Sequence, residues 1–330
     1  MNLAGNLASI ALPSFVREGV YDWEGLQHTT RMLVRNLNLV IDKSSYPTNE
    51  ARNSNMRHRP ISIGVQGLAD VFLMLGYAFD DEDARELNRR IFANIYWAAI
   101  FESTRLAEQH GTYDTYEGSP ASKGVLQYDL WDATPHESLD WCLLKDAVRT
   151  HGLRNSLLVG LMPTASTASI QMNTECFEPI PSNLFTRRTL TGEHVQLNKH
   201  LVKALEDRGL WDHAMRDELV RHRGSVQGIT GVPECLKPRF RTAYEIPMRS
   251  IIDMSVDRSV YVCQSSSKNL FFPTPRPNVI SAALFYSWKR GEKTGSYYIR
   301  TKVQTKALDF TVDVKQPGSV VIPEENTDEC

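Results

Sequence analysis

The sequence predicts an α/β fold, on three observations. Apolar residues recur at helical spacing through much of the first half. A short apolar run at 157–159 reads as a buried strand and passes directly into a small, polar loop. Residues 296–302 alternate as a strand does. Helices interleaved with short strands favour the α/β class.

In chain order, Leu26, Leu33, Leu37 and Val40 share one helical face, with Asp22 placed as an N-cap and Pro47 ending the segment. Val65, Leu68, Ala69, Phe72 and Leu75 form a second such face, which Gly76 is placed to terminate. A third helix starts in the acidic run 80–83, where carboxylates suit the helix dipole. It carries Ala84, Leu87, Ile91, Ile95 and Ala98 and stops near His110 and Gly111. Residues 112–136 are turn-rich, and a helix follows over about 138–150. Further helices are expected near 197–208 and 239–257. Residues 280–288 fit helix or strand, and the chain from about 315 is polar and expected to be a mobile tail.

Composition narrows the function classes. The chain has 330 residues, 42% hydrophobic and 23% charged, enough for a substantial core. A formal charge of −2 gives no general pull toward nucleic acid or anionic membrane, so any anion site must be local. No apolar run reaches membrane-spanning length, and the first twenty residues lack a secretory pattern, which makes the cytoplasm the expected compartment. Five widely spaced cysteines, Cys142, Cys176, Cys235, Cys263 and Cys330, form no Cys-x-x-Cys pair and suit a reducing environment.

The segment Pro163-Thr-Ala-Ser-Thr-Ala168 follows the expected strand. Small residues let a ligand approach the backbone, Thr164, Ser166 and Thr167 offer hydroxyls, and a helix starting here would aim free amides at the same anion. A diphosphate fits that chemistry. The plainer alternative is a helix cap with several Ser/Thr turns.

These residues sit in a longer pattern. Asn6-Leu-Ala-Ser-Ile-Ala-Leu12, Arg35-Asn-Leu-Asn38, the run from Arg57 through Gly64 to Asp70, Tyr113 to Tyr128, Trp141 through Asn155 to Pro163, Thr186-Arg-Arg188 and Gly295-Ser-Tyr-Tyr-Ile-Arg-Thr301 occur in one order. From about residue 5 to about residue 311 the chain resembles the C-terminal part of the large, catalytic subunit of class I ribonucleotide reductases. Two positions depart from that pattern. Gly160 stands where the resemblance expects another small residue, typically alanine, and Cys263 where it expects an acidic one.

The resemblance implies the second half of a ten-stranded α/β barrel over 1–314, with 315–330 as a mobile tail. It implies radical reduction of ribonucleoside diphosphates for DNA synthesis, with Thr164, Ala165, Ser166, Thr167 and Ala168 holding the substrate diphosphate. Tyr297 and Tyr298 would relay a radical from a small subunit, since a phenol can lose both an electron and a proton. On spacing alone, they are two strand residues pointing to opposite faces, one of them core. Cys330 would be a tail thiol exchanging with a thioredoxin- or glutaredoxin-type dithiol. No cofactor is expected on the chain itself, and no metal.

One expected element is absent. Gly5 stands where the resemblance places a redox cysteine directly before Asn-Leu-Ala-Ser, and glycine can neither donate an electron nor form a disulfide. The other active-site cysteines belong to segments that precede this one in the family. Two readings remain: a partial reductase chain working with a companion that supplies the first half-barrel, and a degenerate homologue that has become a protein-interaction module.

Overall fold

The computed structural model describes residues 5–189 and 192–302, with side chains described outside 186–194. Cys330 and the expected tail lie outside the described residues.

The chain opens with β1 (Leu7–Ala11), followed after a 3-10 turn by the short antiparallel pair β2 (Val16–Arg17) and β3 (Val20–Tyr21). Helix α1 (Trp23–Lys43) begins as expected at Asp22, whose side chain accepts from the Gly25 amide. Helix α2 (Asn49–His58), which periodicity did not reveal, is capped by Thr48. It leads through Arg59, in the left-handed region, to β4 (Ser62–Gln66).

The expected helical face at 65–75 divides in two. Val65 lies in β4, and only α3 (Leu68–Leu75) is helical. The break is Gly67, at φ +78°, where a side chain would collide with the Pro13 ring 2.6 Å away. All five residues of β4 are buried, so period 2 is invisible there and the run looks continuous with the helix. Gly76 ends α3 as expected, its amide donating to the Leu73 and Phe72 carbonyls.

Helix α4 (Glu82–His110) starts in the acidic run and ends at Gly111. After the turn-rich stretch comes α5 (Trp141–His151), capped by Asp140. Then follow α6 (Ala165–Ile170), the hairpin β5 (Leu184–Thr189) and β6 (Gly192–Leu197), α7 (Lys199–Glu206) and α8 (His213–Arg221). The hairpin and α8 were not anticipated. Helix α9 (Met248–Ser259) is shorter than the expected 239–257, because Pro247 sits at its N-cap and 239–247 turn instead. The chain continues with β7 (Leu270–Phe272), α10 (Pro277–Lys289), which settles the ambiguity at 280–288, and β8 (Ile299–Thr301).

The strands make a parallel run. β1 pairs with β4, Ile63 of β4 bridges Val159, Leu161 bridges Ser266, and β7, a little further along the chain, pairs with β8. Every pairing in this run is parallel, with helices as crossovers, which is the α/β class expected. Among the described residues the run is open and does not close into a barrel. The main core lies where α1, α4 and β4 meet, with Tyr96, Tyr128, Trp141 and Tyr261 packed ring to ring beside it.

Candidate functional site

The run at 157–159, expected as a strand, makes only isolated parallel bridges, at Val159 and Leu161, and residues 162–168 follow it into the start of α6. In open parallel sheets ligands bind at this end. Ser166 is exposed, and the helix geometry leaves the first amides of α6, at Ala165, Ser166 and Thr167, without intrahelical acceptors. Ala168 donates its amide to the Thr164 carbonyl at 2.8 Å and is fully buried. The Thr167 hydroxyl turns back to the Thr164 carbonyl at 3.2 Å.

Thr164 faces inward. Only 4% exposed, its hydroxyl accepts from the Cys176 amide at 2.8 Å and lies 3.4 Å from the Cys176 thiol. That thiol in turn donates to the Met162 carbonyl at 3.3 Å. The segment around 176 therefore underpins the loop from below. Burial pushes the Cys176 thiol above its ordinary range, so it stays protonated and serves as a donor.

Asp70, on α3, braces the same segment. It is buried, and its carboxylate accepts from the Thr174 amide at 2.6 Å, the Thr174 hydroxyl at 2.8 Å and His200 Nε2 of α7 at 2.8 Å. Burial alone would raise this carboxyl. The hydrogen bonds from His200 and Thr174 outweigh it and hold the group below its ordinary value. Periodicity placed Asp70 on no helix face and gave it no role.

The tyrosine pair lies elsewhere on the surface, just before β8. Tyr297 and Tyr298 are 50% and 52% exposed, with ring centroids 4.3 Å apart and planes tilted by 59°. Neither is core, and they do not diverge to opposite faces, because the strand begins only at Ile299. The Tyr298 phenol, through hydrogen bonding and then charge, holds the Tyr297 phenol above its ordinary value. The Tyr297 amide donates to the Lys268 carbonyl at 2.6 Å, and the Tyr298 amide to Asn269 Oδ1 at 3.1 Å.

Glu178 reaches this pair from the strut under the loop. Its carboxylate accepts from the Asn269 amide at 2.8 Å and from Asn269 Nδ2 at 2.9 Å. Burial raises its carboxyl despite those two bonds. Beside it, Arg258 is fully buried over the Phe177 ring at 4.3 Å, and burial lowers its guanidinium to about 10. The loop and the tyrosines are thus joined through 173–178 rather than by direct hydrogen bonds among the described residues.

The two departures, Gly160 and Cys263, sit beside the same segment. A methyl on Gly160 would stand 2.3 Å from Ser62 Oγ, so the alanine expected there requires that hydroxyl to move. The Cys263 sulfur accepts from the Leu158 and Val159 amides, each at 3.2 Å, and its thiol donates to the Val159 carbonyl at 3.2 Å. Gly5 is exposed, and among the described residues a side chain there would meet Leu7, at 3.6 Å, an ordinary van der Waals contact. Among the described residues the cysteines are unpaired and no His, Cys, Asp or Glu cluster is arranged to hold a metal. No helix among them is long and apolar enough to cross a membrane.

Comparison with known proteins bears on this arrangement. Residues 3–298 match the family described as ribonucleotide reductase, barrel domain. The chain is 50% identical over 309 residues to a ribonucleoside-diphosphate reductase large subunit of Caenorhabditis elegans, covering 93% of this chain and 39% of that one. It is 48% identical over 314 residues to the large chain 2 of the Saccharomyces cerevisiae enzyme, covering 93% and 36%. It is 45% identical over 347 residues to the Arabidopsis thaliana large subunit, covering 98% and 42%. Among solved structures, the Actinobacillus ureae class Id ribonucleotide reductase alpha subunit superposes with a TM-score of 0.67 at 22% identity, covering 90% of this chain and 49% of that one, a likeness of fold. The chain spans between 36% and 42% of the length of these three curated relatives.

Proposed function

The chain belongs to the ribonucleotide reductase barrel-domain family, as a C-terminal part of the large subunit, and from that premise we propose that it supplies the diphosphate subsite and the tyrosine relay of a ribonucleoside-diphosphate reductase. The observation that carries this reading is the loop at 163–168. It follows a segment bridged in parallel at Val159 and Leu161, leaves the first amides of α6 free and exposes Ser166. Amides at a helix start favour an anion through both hydrogen bonding and the helix dipole. In this reading the amides of Ala165, Ser166 and Thr167 and the Ser166 hydroxyl contact the diphosphate. Thr164 and Ala168 form the frame that holds them. Tyr297 and Tyr298 pass the radical from a small subunit, and a thioredoxin- or glutaredoxin-type dithiol supplies electrons, with Cys330 as the tail thiol.

The chain's own residues do not complete the reaction. Gly5 offers no thiol where the family resemblance calls for one. Reduction therefore depends on thiols contributed from outside the described residues, such as those of a companion segment. Gly5 also favours a second reading, a non-catalytic homologue retained for binding other proteins.

Calorimetry with ADP and with inorganic pyrophosphate tests the first reading. Saturable binding of both, lost in Ser166→Glu, is the expected result. Absence of binding by folded chain refutes the subsite. Capture of a reductase small subunit together with that binding favours a working reductase part. Capture without diphosphate binding favours the interaction module.

A further inference from the structure

Adjacent residues of a strand point to opposite faces, yet the phenols of Tyr297 and Tyr298 lie side by side, both exposed, at 4.3 Å between centroids. Something must hold the backbone out of strand geometry until Ile299. Two neighbouring residues just before β7 do this directly. Lys268 takes the Tyr297 amide with its carbonyl, and Asn269 takes the Tyr298 amide with its side-chain oxygen. The next bond, from the Leu270 amide to the Tyr298 carbonyl at 2.9 Å, begins the regular pairing of β7 with β8.

Asn269 can accept from Tyr298 only if its amide group is turned the right way. Glu178 fixes that orientation. One carboxylate oxygen accepts the Asn269 main-chain amide and the other accepts Nδ2, which leaves Oδ1 free for Tyr298. A carboxylate has acceptors alone, so it cannot take Oδ1 in place of Nδ2. Glu178 and Asn269 are both largely buried, so neither has water as an easy substitute partner. On its other side Glu178 lies two residues from Cys176, whose amide is bound to Thr164.

We propose that Glu178 is a positioning residue for the tyrosine pair: by orienting Asn269 it fixes the Tyr298 amide and keeps both phenols on one side of the chain. Its relevance to catalysis rests on reading Tyr297 and Tyr298 as a relay. The geometric claim stands apart from that reading. Stepwise transfer between two phenols depends on their separation, and this carboxylate, which touches neither ring, sets it.

The test places 3-fluorotyrosine at position 297 and reads its fluorine shift in the full chain. The Tyr298→Leu variant gives the shift without the neighbouring ring. Glu178→Gln, equal in size but with a donor facing Nδ2, is expected to move the resonance at least halfway to that reference. A second fluorotyrosine at buried Tyr128 reports whether the core is intact. An unmoved 297 resonance in an intact core overturns the proposal. If Glu178→Gln fails to fold, hydrogen exchange in the unaltered chain decides. The Tyr298 amide should exchange about tenfold or more slowly than that of Ser296, as a maintained hydrogen bond requires, and equal exchange overturns the proposal. Failure of radical transfer in a complete reductase would leave the fluorine result untouched. An unmoved resonance would remove the Glu178 role and leave the relay standing.

Discussion

Replacing Thr164 with valine separates the two roles a threonine can play in a phosphate-type loop. If the hydroxyl faces the ligand, its loss weakens binding and leaves folding alone. The structure points it inward, onto the Cys176 amide at 2.8 Å, in a site 4% exposed. Valine has nearly the same shape, so no cavity opens. The Cys176 amide is left without an acceptor, which costs about 1–3 kcal/mol for a buried group. Burying a methyl in place of the hydroxyl offsets up to ~0.8 kcal/mol of that. The net loss is ~1–2 kcal/mol, which moves the thermal midpoint of a chain this long by roughly 1–3 °C. Calorimetric melting at one fixed scan rate reads it, with Ser166→Ala, an exposed site, expected to stay within about 0.5 kcal/mol of the parent. Affinity for ADP should change by less than about threefold in Thr164→Val, below ~0.7 kcal/mol. Unchanged stability together with a tenfold loss of affinity would refute the inward assignment and return Thr164 to the ligand.

Other predictions concern the frame and the chemistry. Asp70 has a depressed carboxyl pKa in the folded chain, so its contribution is complete above the ordinary carboxylate value of 3.8 and is lost as pH falls through the depressed value. The stability gap between the parent and Asp70→Asn should therefore shrink from about pH 5 to about pH 3; denaturant melts at both ends read it, and a gap that widens on acidification counts against the assignment. Asn155 is fully buried and its side chain joins Ser103, Asn38 and the Arg59 carbonyl. Asn155→Ala should cost about 3–4 kcal/mol, the range for breaking a buried network, measured as a shift in urea midpoint with unchanged slope; a loss under 1 kcal/mol would contradict it. Because Gly5 carries no thiol, the chain mixed with a small subunit, radical source and dithiol should give no ribonucleoside diphosphate reduction. Turnover above background would overturn that reading of Gly5.

Local physics was the legible part of the fold. Asp22 before an apolar stripe, the acidic start of α4 and Gly76 after Leu75 each act within a few residues, and each stands where the sequence places it. What could not be read is set by partners far along the chain. Gly67 breaks the run at 65–75 because Pro13 packs against it, 54 residues earlier. Residues 239–247 carry apolar positions that suit a helix, yet prolines at 238 and 247 leave them in turns. The hairpin at 184–197 pairs polar and charged segments without a clean alternation.

The site divides in the same way. The loop at 163–168 was recognisable from its small and hydroxyl residues following an apolar run. The residues that brace it were not. Asp70 meets Thr174 across 104 positions and Glu178 meets Asn269 across 91, and no spacing rule joins such pairs. One signal was available. Asp70 and Glu178 are lone carboxylates inside apolar stretches, Leu-Ala-Asp-Val-Phe and Cys-Phe-Glu-Pro-Ile, and a buried charge needs a partner. The hydroxyl of Thr164 could not be assigned to ligand or framework without knowing where Cys176 folds back. The alternation at 296–302 predicts a strand from Ser296 that would send the two phenols to opposite faces, but the strand starts only at Ile299, so that prediction fails at the pair.

Whether the first amides of α6 hold a diphosphate can be read directly. Amide chemical shifts of the isotope-labelled chain, titrated with inorganic pyrophosphate and then with ADP, test it residue by residue. Saturable shifts are expected for Ala165, Ser166 and Thr167 with both ligands, and none at the tyrosine pair. Shifts confined to other residues, or none in a folded chain, would contradict it.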